Sequence, residues 1–249
     1  MGGHSHWAGI KHKKAVVDAK RGKLWTRLIR EITIAARMGG ADPGSNPRLR
    51  RAIDDSKAAN MPADNIKRAI QRGTGELPGA TYEELTYEGY GPAGVAVFCE
   101  ATTDNRNRTT SEVRKIFEEH GGKLGGSGSV SYLFESKGYL TVKKSLVPED
   151  DLLSLALEAG AEDLKAREAD VFEIITAPAD FERVKAALSA KGIPLDSAEV
   201  TRLPTTMVRV EGPEAQKILA LVEALEDHDD VKSVYANFDI PDQVLSKLG

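Results

Sequence analysis

Lys23, Arg27, Arg30 and Arg37 fall on one side of a helical spacing, and a row of ammonium and guanidinium groups suits contact with phosphates. From Ala15 to Met38, at about 100° per residue, Leu24, Trp25, Leu28, Ile29, Ile32, Ala35 and Ala36 share the opposite face. Ile34 is the exception, an apolar residue on the basic side. An amphipathic helix ordinarily turns its charged face to water. Four cations with no acid on the stripe favour a phosphate-contacting face instead. Arg48, Arg50 and Arg51 follow Asn46-Pro47, a cap and first-turn proline, and they oppose the dipole of the helix they open. Helix stability therefore does not account for them. Arg106 and Arg108 lie in the loop Asp104–Arg108, ahead of a helix whose expected opening is the capping box Thr109-x-x-Glu112. That loop has two readings. It is an anion site at a helix N-terminus, or a turn in which Asp104 pairs with an arginine while Asn105 and Asn107 shape the chain. Residues 1–14, MGGHSHWAGIKHKK, add Lys11, Lys13 and Lys14 with no acid, an arm expected to order on a polyanion. Lys20 and Arg21 continue it.

Other chemistries find little support. His4, His6 and His12 match no strong zinc spacing and have no cysteine or acid near them in sequence. The acidic run Glu226–Asp230 reads as a helix end and a solvated turn, because oxygen-ligand sites need converging geometry. No metal and no cofactor are expected. Gly89-Tyr-Gly-Pro-Ala-Gly94 matches the dinucleotide fingerprint in letters but leads into a strand rather than a helix. The stretch Gly121–Ser129 lacks the ending of a phosphate loop and reads as a flexible connection to a strand at 130–134. No nucleophile elbow, metalloprotease or paired-cysteine pattern occurs, so no enzyme is expected. Cys99 alternates with Val95, Val97 and Ala101 on one face of a strand, which makes it a packing residue. As the only cysteine it forms no internal disulfide and fits a reducing compartment.

The elements that carry these residues divide by charge. Residues 1–78 hold 16 Lys and Arg against 7 Asp and Glu, a balance of +9. Residues 79–249 hold 18 against 31, a balance of −13 that hides the basic end in a net charge of −4. The expected class is α+β: a basic helical bundle over 1–78, then two ferredoxin-like sandwiches, one inserted in the other. Residues 136–203 repeat β-α-β-β-α-β and form the inserted unit. The other unit is discontinuous, 79–135 with 204–249, its halves being the β-α-β of 95–134 and a strand at 207–211 followed by a helix and a strand. No apolar run approaches the ~20 residues that span a bilayer, and the N-terminus lacks the apolar core of a secretory signal. A cytoplasmic protein without a membrane partner is expected.

The stretch YEGYGPAGVAVFCEATTDNRNRT, residues 87–109, resembles the central signature of the YebC family, also called PmpR and, in mitochondria, the translational activator of cytochrome oxidase. GHSHWAGIKHKK and KRGKLWTRLIREITIAARMGGADPGSNPRLRRAI are similar to the same family, and the likeness covers essentially all 249 residues. It departs at His6 and Lys13, where the family pattern has lysine and arginine. The resemblance implies a non-enzymatic regulator, a DNA-binding transcription factor in some members and a ribosome-acting translation factor in others. The partner expected is thus nucleic acid, DNA or ribosomal RNA, with the ribosome or the transcription machinery behind it. A protein-interaction adaptor using the two acidic sandwiches is the other class that composition allows.

Overall fold

Asn46 holds the first corner of the chain. Its side-chain oxygen accepts the Leu49 N–H at 3.0 Å, and its amide donates to the carbonyls of Ala35 and Gly40 at 2.8 and 2.9 Å. One buried side chain thus caps the end of α1 (Asp18–Gly39) and the start of α2 (Pro47–Ala58). A third helix, α3 (Ala63–Thr74), completes the module around Ile32, Ala35, Leu49, Ala52, Met61, Ile66 and Ala69. This structure, a computed structural model, describes residues 18–166 and 170–241, and their side chains from Lys23 onward at the N-terminal end. Where α1 crosses α3, Gly73 lets the backbones meet: a Cβ there would lie 2.4 Å from the Thr33 carbonyl.

The chain then pairs β1 (Glu83–Tyr90) with β2 (Ala96–Thr103) as an antiparallel hairpin, across a turn in which Ala93 and Gly94 take positive φ. Helix α4 (Arg106–Glu119) and the short β3 (Lys123–Leu124) follow. The chain returns to this sheet only at α7 (Gly212–Asp227) and β9 (Val231–Ala236), giving the strand order β3-β1-β2-β9. Val95, Val97, Cys99 and Ala101 face the helices and pack on Val113, Phe117, Ile218, Leu221 and Leu225. Burial pushes the Cys99 thiol far up, as befits a packing residue. Nested between is β4 (Phe134–Lys143), α5 (Glu149–Glu158), β5 (Ala161–Lys165), β6 (Val171–Thr176), α6 (Phe181–Ala190) and β7 (Ser197–Pro204). Its sheet runs β5-β6-β4-β7, all antiparallel, over a separate core of Leu140, Leu152, Ile174, Val184 and Leu188. The mixed α+β class expected from the sequence is the class of the structure.

Three local expectations are corrected. The segment 130–134 is no strand: Ser131–Leu133 is a 3-10 turn, and β4 runs unbroken from Phe134 to Lys143. The strand placed at 207–211 shrinks to β8 (Val208–Arg209), which pairs in parallel with β10 (Phe238–Asp239) outside the main sheet. Its expected place is taken by β1, because a short turn makes local hairpin pairing cheaper than closing a long loop. The helix after β2 begins at Arg106, capped by the Asn105 side chain on the Arg108 N–H at 3.1 Å, and Thr109 sits buried inside it.

The tight helix crossing yields a prediction. Gly73→Val should force α1 and α3 apart and destabilise the protein by about 1–3 kcal/mol, as overpacking does. Thermal unfolding followed by circular dichroism measures it, and an unchanged midpoint refutes the crossing as drawn.

Candidate nucleic-acid interface

Most of the basic side of α1, Arg37 apart, is turned toward the rest of the chain. It lies against the C-terminal end of α7, where unpaired carbonyls carry partial negative charge. Lys23 donates to the Asp227 carbonyl at 2.8 Å, and Arg27 to the carbonyls of Glu226 and, at 3.5 Å, His228. Arg30 reaches the carbonyls of Asp229 at 2.8 Å and Thr102 at 3.2 Å and the Asp230 carboxylate at 2.9 Å. Burial lowers the Arg27 pKa, and the Arg30 side chain is only 13% exposed. The expectation that Lys23, Arg27 and Arg30 present themselves to a polyanion is corrected: they clasp the helical module to the sheet behind it. Ile34 shows the same thing from the apolar side. It stands among the cations because that face is covered, and it is 5% exposed.

Asp230 is the centre of the clasp. Its carboxylate is 3% exposed and takes hydrogen bonds from Arg108 at 2.6 Å, Thr109 at 2.6 Å and Thr103 at 3.0 Å, besides the ion pair with Arg30. Burial alone would raise its pKa. The bonds from Thr109, Arg108 and Thr103 and the charge of Arg30 outweigh that and bring it down to about 2. Beside it, the Asp230 N–H donates to His228 Nδ1 at 3.1 Å, and His228 Nε2 meets Glu112 at 2.9 Å. Glu112, His228 and Asp230 therefore converge within 4.8 Å, an arrangement of metal-ligand types. Both ring nitrogens are occupied, however, and two guanidinium groups already sit on the aspartate. The geometry is that of a hydrogen-bonded relay.

The remaining arginines divide. Arg48 bridges Glu31 at 2.7 Å and Glu84 at 2.6 Å, and both bonds raise its pKa well above the ordinary arginine value. Glu31 is also held by Lys232 at 2.9 Å. Arg51 pairs with Glu182 of α6 at 3.2 Å, and Arg50 donates to the Pro43 carbonyl at 3.1 Å. Arg106 pairs with Glu83 at 2.7 Å and Arg108 with Asp104 at 3.0 Å. Of the turn reading, the Asp104–Arg108 pair and the capping Asn105 agree with the structure. Arg106, Asn107 and Arg108 already form the first turn of α4, with both guanidinium groups engaged by carboxylates. Arg37 is exposed without a partner among the described residues and lines an open cleft of about 420 Å³ with Met38, Tyr82 and Glu84. Lys11, Lys13 and Lys14 lie outside the described residues, as do the side chains of Lys20 and Arg21.

Three cations escaped the sequence reading. Ile66, Ala69 and Gly73 turn one side of α3 onto α1, which leaves Lys67, Arg68 and Arg72 exposed and without a partner among the described residues. They form no neat stripe, since two of them are adjacent. The signal was there in another form: three cations against the single acid Asp64 in twelve residues.

The clasp generates a pH prediction. A carboxyl whose pKa falls from the usual 3.8 to about 2 on folding stabilises the fold at every pH above about 4 and stops doing so as pH falls toward 2. At about 1.4 kcal/mol per unit, its contribution is roughly 2 kcal/mol. Asp230→Asn should lower the melting temperature at neutral pH and close the gap to wild type between pH 4 and pH 2. A gap independent of pH would assign the loss to packing.

Comparison with known proteins follows the same layout. The family model described as the TACO1/YebC protein N-terminal domain matches residues 5–76, and that of the TACO1/YebC second and third domain matches residues 82–238. A protein of Elusimicrobium minutum is 56% identical over 249 residues, covering 100% of this chain and 99% of its own length. One from Dictyoglomus turgidum is 55% identical and covers 100% of both. Both carry the name probable transcriptional regulatory protein. The crystal structure of a conserved hypothetical protein from Aquifex aeolicus superposes with a TM-score of 0.84 at 55% identity, over 96% of this chain and 99% of that one. With matches along nearly its whole length, this chain belongs to the TACO1/YebC family.

Proposed function

We propose that this protein is a non-catalytic regulator of gene expression that binds nucleic acid through the exposed side of α3 and the basic segment before α1. The observation that carries the reading is the separation of the cations into two sets. Lys23, Arg27, Arg30, Arg48, Arg106 and Arg108 are taken up by carbonyls and carboxylates of the same chain. Lys67, Arg68, Arg72 and Arg37 have no such partner among the described residues, and exposed cations so placed are free to replace the counterions of a phosphate backbone. Lys11, Lys13, Lys14, Lys20 and Arg21 extend the same charge along the sequence. A regulatory role agrees with the names of the relatives, and duplex DNA is the polymer that those names favour. In that reading α3, the second helix across a tight turn, is the element to approach the groove. Ribosomal RNA and a role in translation are the alternative, and cosedimentation with ribosomes before and after nuclease treatment separates the two. No constellation of nucleophile, base and oxyanion donors supports catalysis among the described residues. No helix of the described residues is long and apolar enough to cross a membrane.

Replacing Lys67, Arg68 and Arg72 by glutamine should weaken binding of the full chain to duplex DNA at every sequence tested. The slope of log affinity against log salt should flatten by about 0.9 per lost contact. Arg27→Gln should leave that slope as it is and lower the melting temperature instead. If the triple variant binds as wild type while Arg27→Gln flattens the slope, the two sets of cations are assigned the wrong way round.

A further inference from the structure

Glu88 is buried at 4% exposure, on the side of β1 away from the helices, and its carboxylate does one thing. It accepts the backbone N–H groups of Gly128, Val130 and Ser131 at 2.8, 2.7 and 2.8 Å. Burial alone would raise its pKa, but these three bonds more than reverse that, and the group stays ionised. Thr205 fixes the far end of the same loop, its N–H donating to the Leu133 carbonyl at 2.9 Å. The glycine-rich stretch expected to be a flexible connection is held at its start as well, by the pairing of β3 with β1 and by the Gly125 N–H on the Glu88 carbonyl at 2.7 Å. A buried carboxylate is costly unless its bonds matter. Here the bonds set the position of Tyr132, which stands on the 3-10 turn with 69% of its surface in water.

Tyr132 is not alone. Tyr90, at the end of β1 and 37% exposed, donates its hydroxyl to the Ser129 carbonyl of the same loop at 2.9 Å. Tyr132 follows Ser129 by three residues in the same loop, and its phenol raises the Tyr90 pKa. Lys123 pairs with Tyr90 in the register of β1 and β3, so its side chain leaves the sheet on the same face. It is exposed, lies on the edge strand and has no anionic partner among the described residues. Beta carbons added at Gly126 and Gly128 would meet nothing within 4 Å, so the loop itself has open space around these positions. Two exposed aromatic rings on a pinned backbone, with a cation opposite Tyr90 that has no anionic partner among the described residues, match the requirements for holding an unpaired base and its phosphate.

We infer that Tyr90, Tyr132 and Lys123 form a second contact site, which stacks an unpaired base of single-stranded nucleic acid while Lys123 meets the adjacent phosphate. The site rests on the nucleic-acid reading above and lies on a different part of the chain from α3. With its backbone held by Glu88, the turn that carries Tyr132 needs little ordering on binding, which is the benefit of the anchor. The test uses the full chain with a fluorescently labelled 12-nucleotide oligouridylate and, separately, a labelled DNA duplex, followed by anisotropy. Tyr132→Ala should weaken oligouridylate binding roughly 5- to 150-fold, the worth of one stacked base, and leave duplex binding unchanged. Tyr132→Phe should bind both as wild type does. The triple glutamine variant of α3 should lose the duplex. Oligouridylate binding unaltered in Tyr132→Ala, or lost equally in Tyr132→Phe, overturns the stacking site while leaving the α3 reading intact, and gives the tyrosines to a protein surface. A wild-type protein that binds neither probe overturns both.

Discussion

The interaction on which the rest depends is the seating of one buried carboxylate. Asp230 gathers Arg30 from α1, Thr103 from the end of β2, and Arg108 and Thr109 from α4. These groups come from the helical module, the central sheet and its covering helix, so a single residue fixes three elements against one another. Removing one partner of such a cluster typically costs about 3–5 kcal/mol, because the others stay buried and uncompensated. The carbonyls of residues 226–229 extend the clasp along the same face of α1. A helix C-terminus is a poor neighbour for anything but a cation, and α1 supplies three.

This seating changes what the charge asymmetry of the chain means. A balance of +9 before residue 79 and −13 after it invites the reading of a basic end awaiting a polyanion. Much of that attraction is internal: Lys23 with Asp227, Arg48 with Glu84, Arg51 with Glu182 and Lys232 with Glu31 all join the two parts of the chain. Several of these pairs are exposed and contribute little each. Their effect is to set which faces meet, since like charges in those places would repel. Among the described residues of the basic part, Arg37, Lys67, Arg68 and Arg72 are the exposed cations left with neither a carboxylate nor a carbonyl partner.

Legibility in the sequence followed the range of the interaction. The alternation of Val95, Val97, Cys99 and Ala101 and the apolar side of α1 depend on neighbours a few residues away, and both stand in the structure, except that Leu24 is 45% exposed. The start of α4 was misplaced because two local caps competed, and Asn105 took the role four residues before Thr109 could. The partner of the α1 stripe lies about 200 residues downstream, beyond any periodicity. Ile34 was the one local sign of it, an apolar residue where a solvated face had no use for one. Lys67, Arg68 and Arg72 went unremarked because the sequence shows which residues are charged and not which charges find partners. The glycine-rich loop failed for the same reason, as the acceptor that stiffens it sits about 40 residues earlier, on β1.

The nested sheet also decides what surface the outer one has to offer. One face of the outer sheet is closed by α4 and α7. Across the middle of the other, Phe98 packs on Phe134 and Tyr235, while Arg202 from β7 stacks on Phe98 at 4.5 Å and pairs with Glu100 at 3.0 Å. An open four-stranded sheet would present such aromatics to a ligand; here the strands that enter and leave the nested unit cover them. What remains uncovered is the β1–β3 edge, with Tyr90 and Lys123. The insertion therefore moves the accessible aromatic surface from the centre of the sheet to its rim. There a strand alone would be loosely held, and the Glu88 anchor supplies the rigidity that the sheet no longer gives.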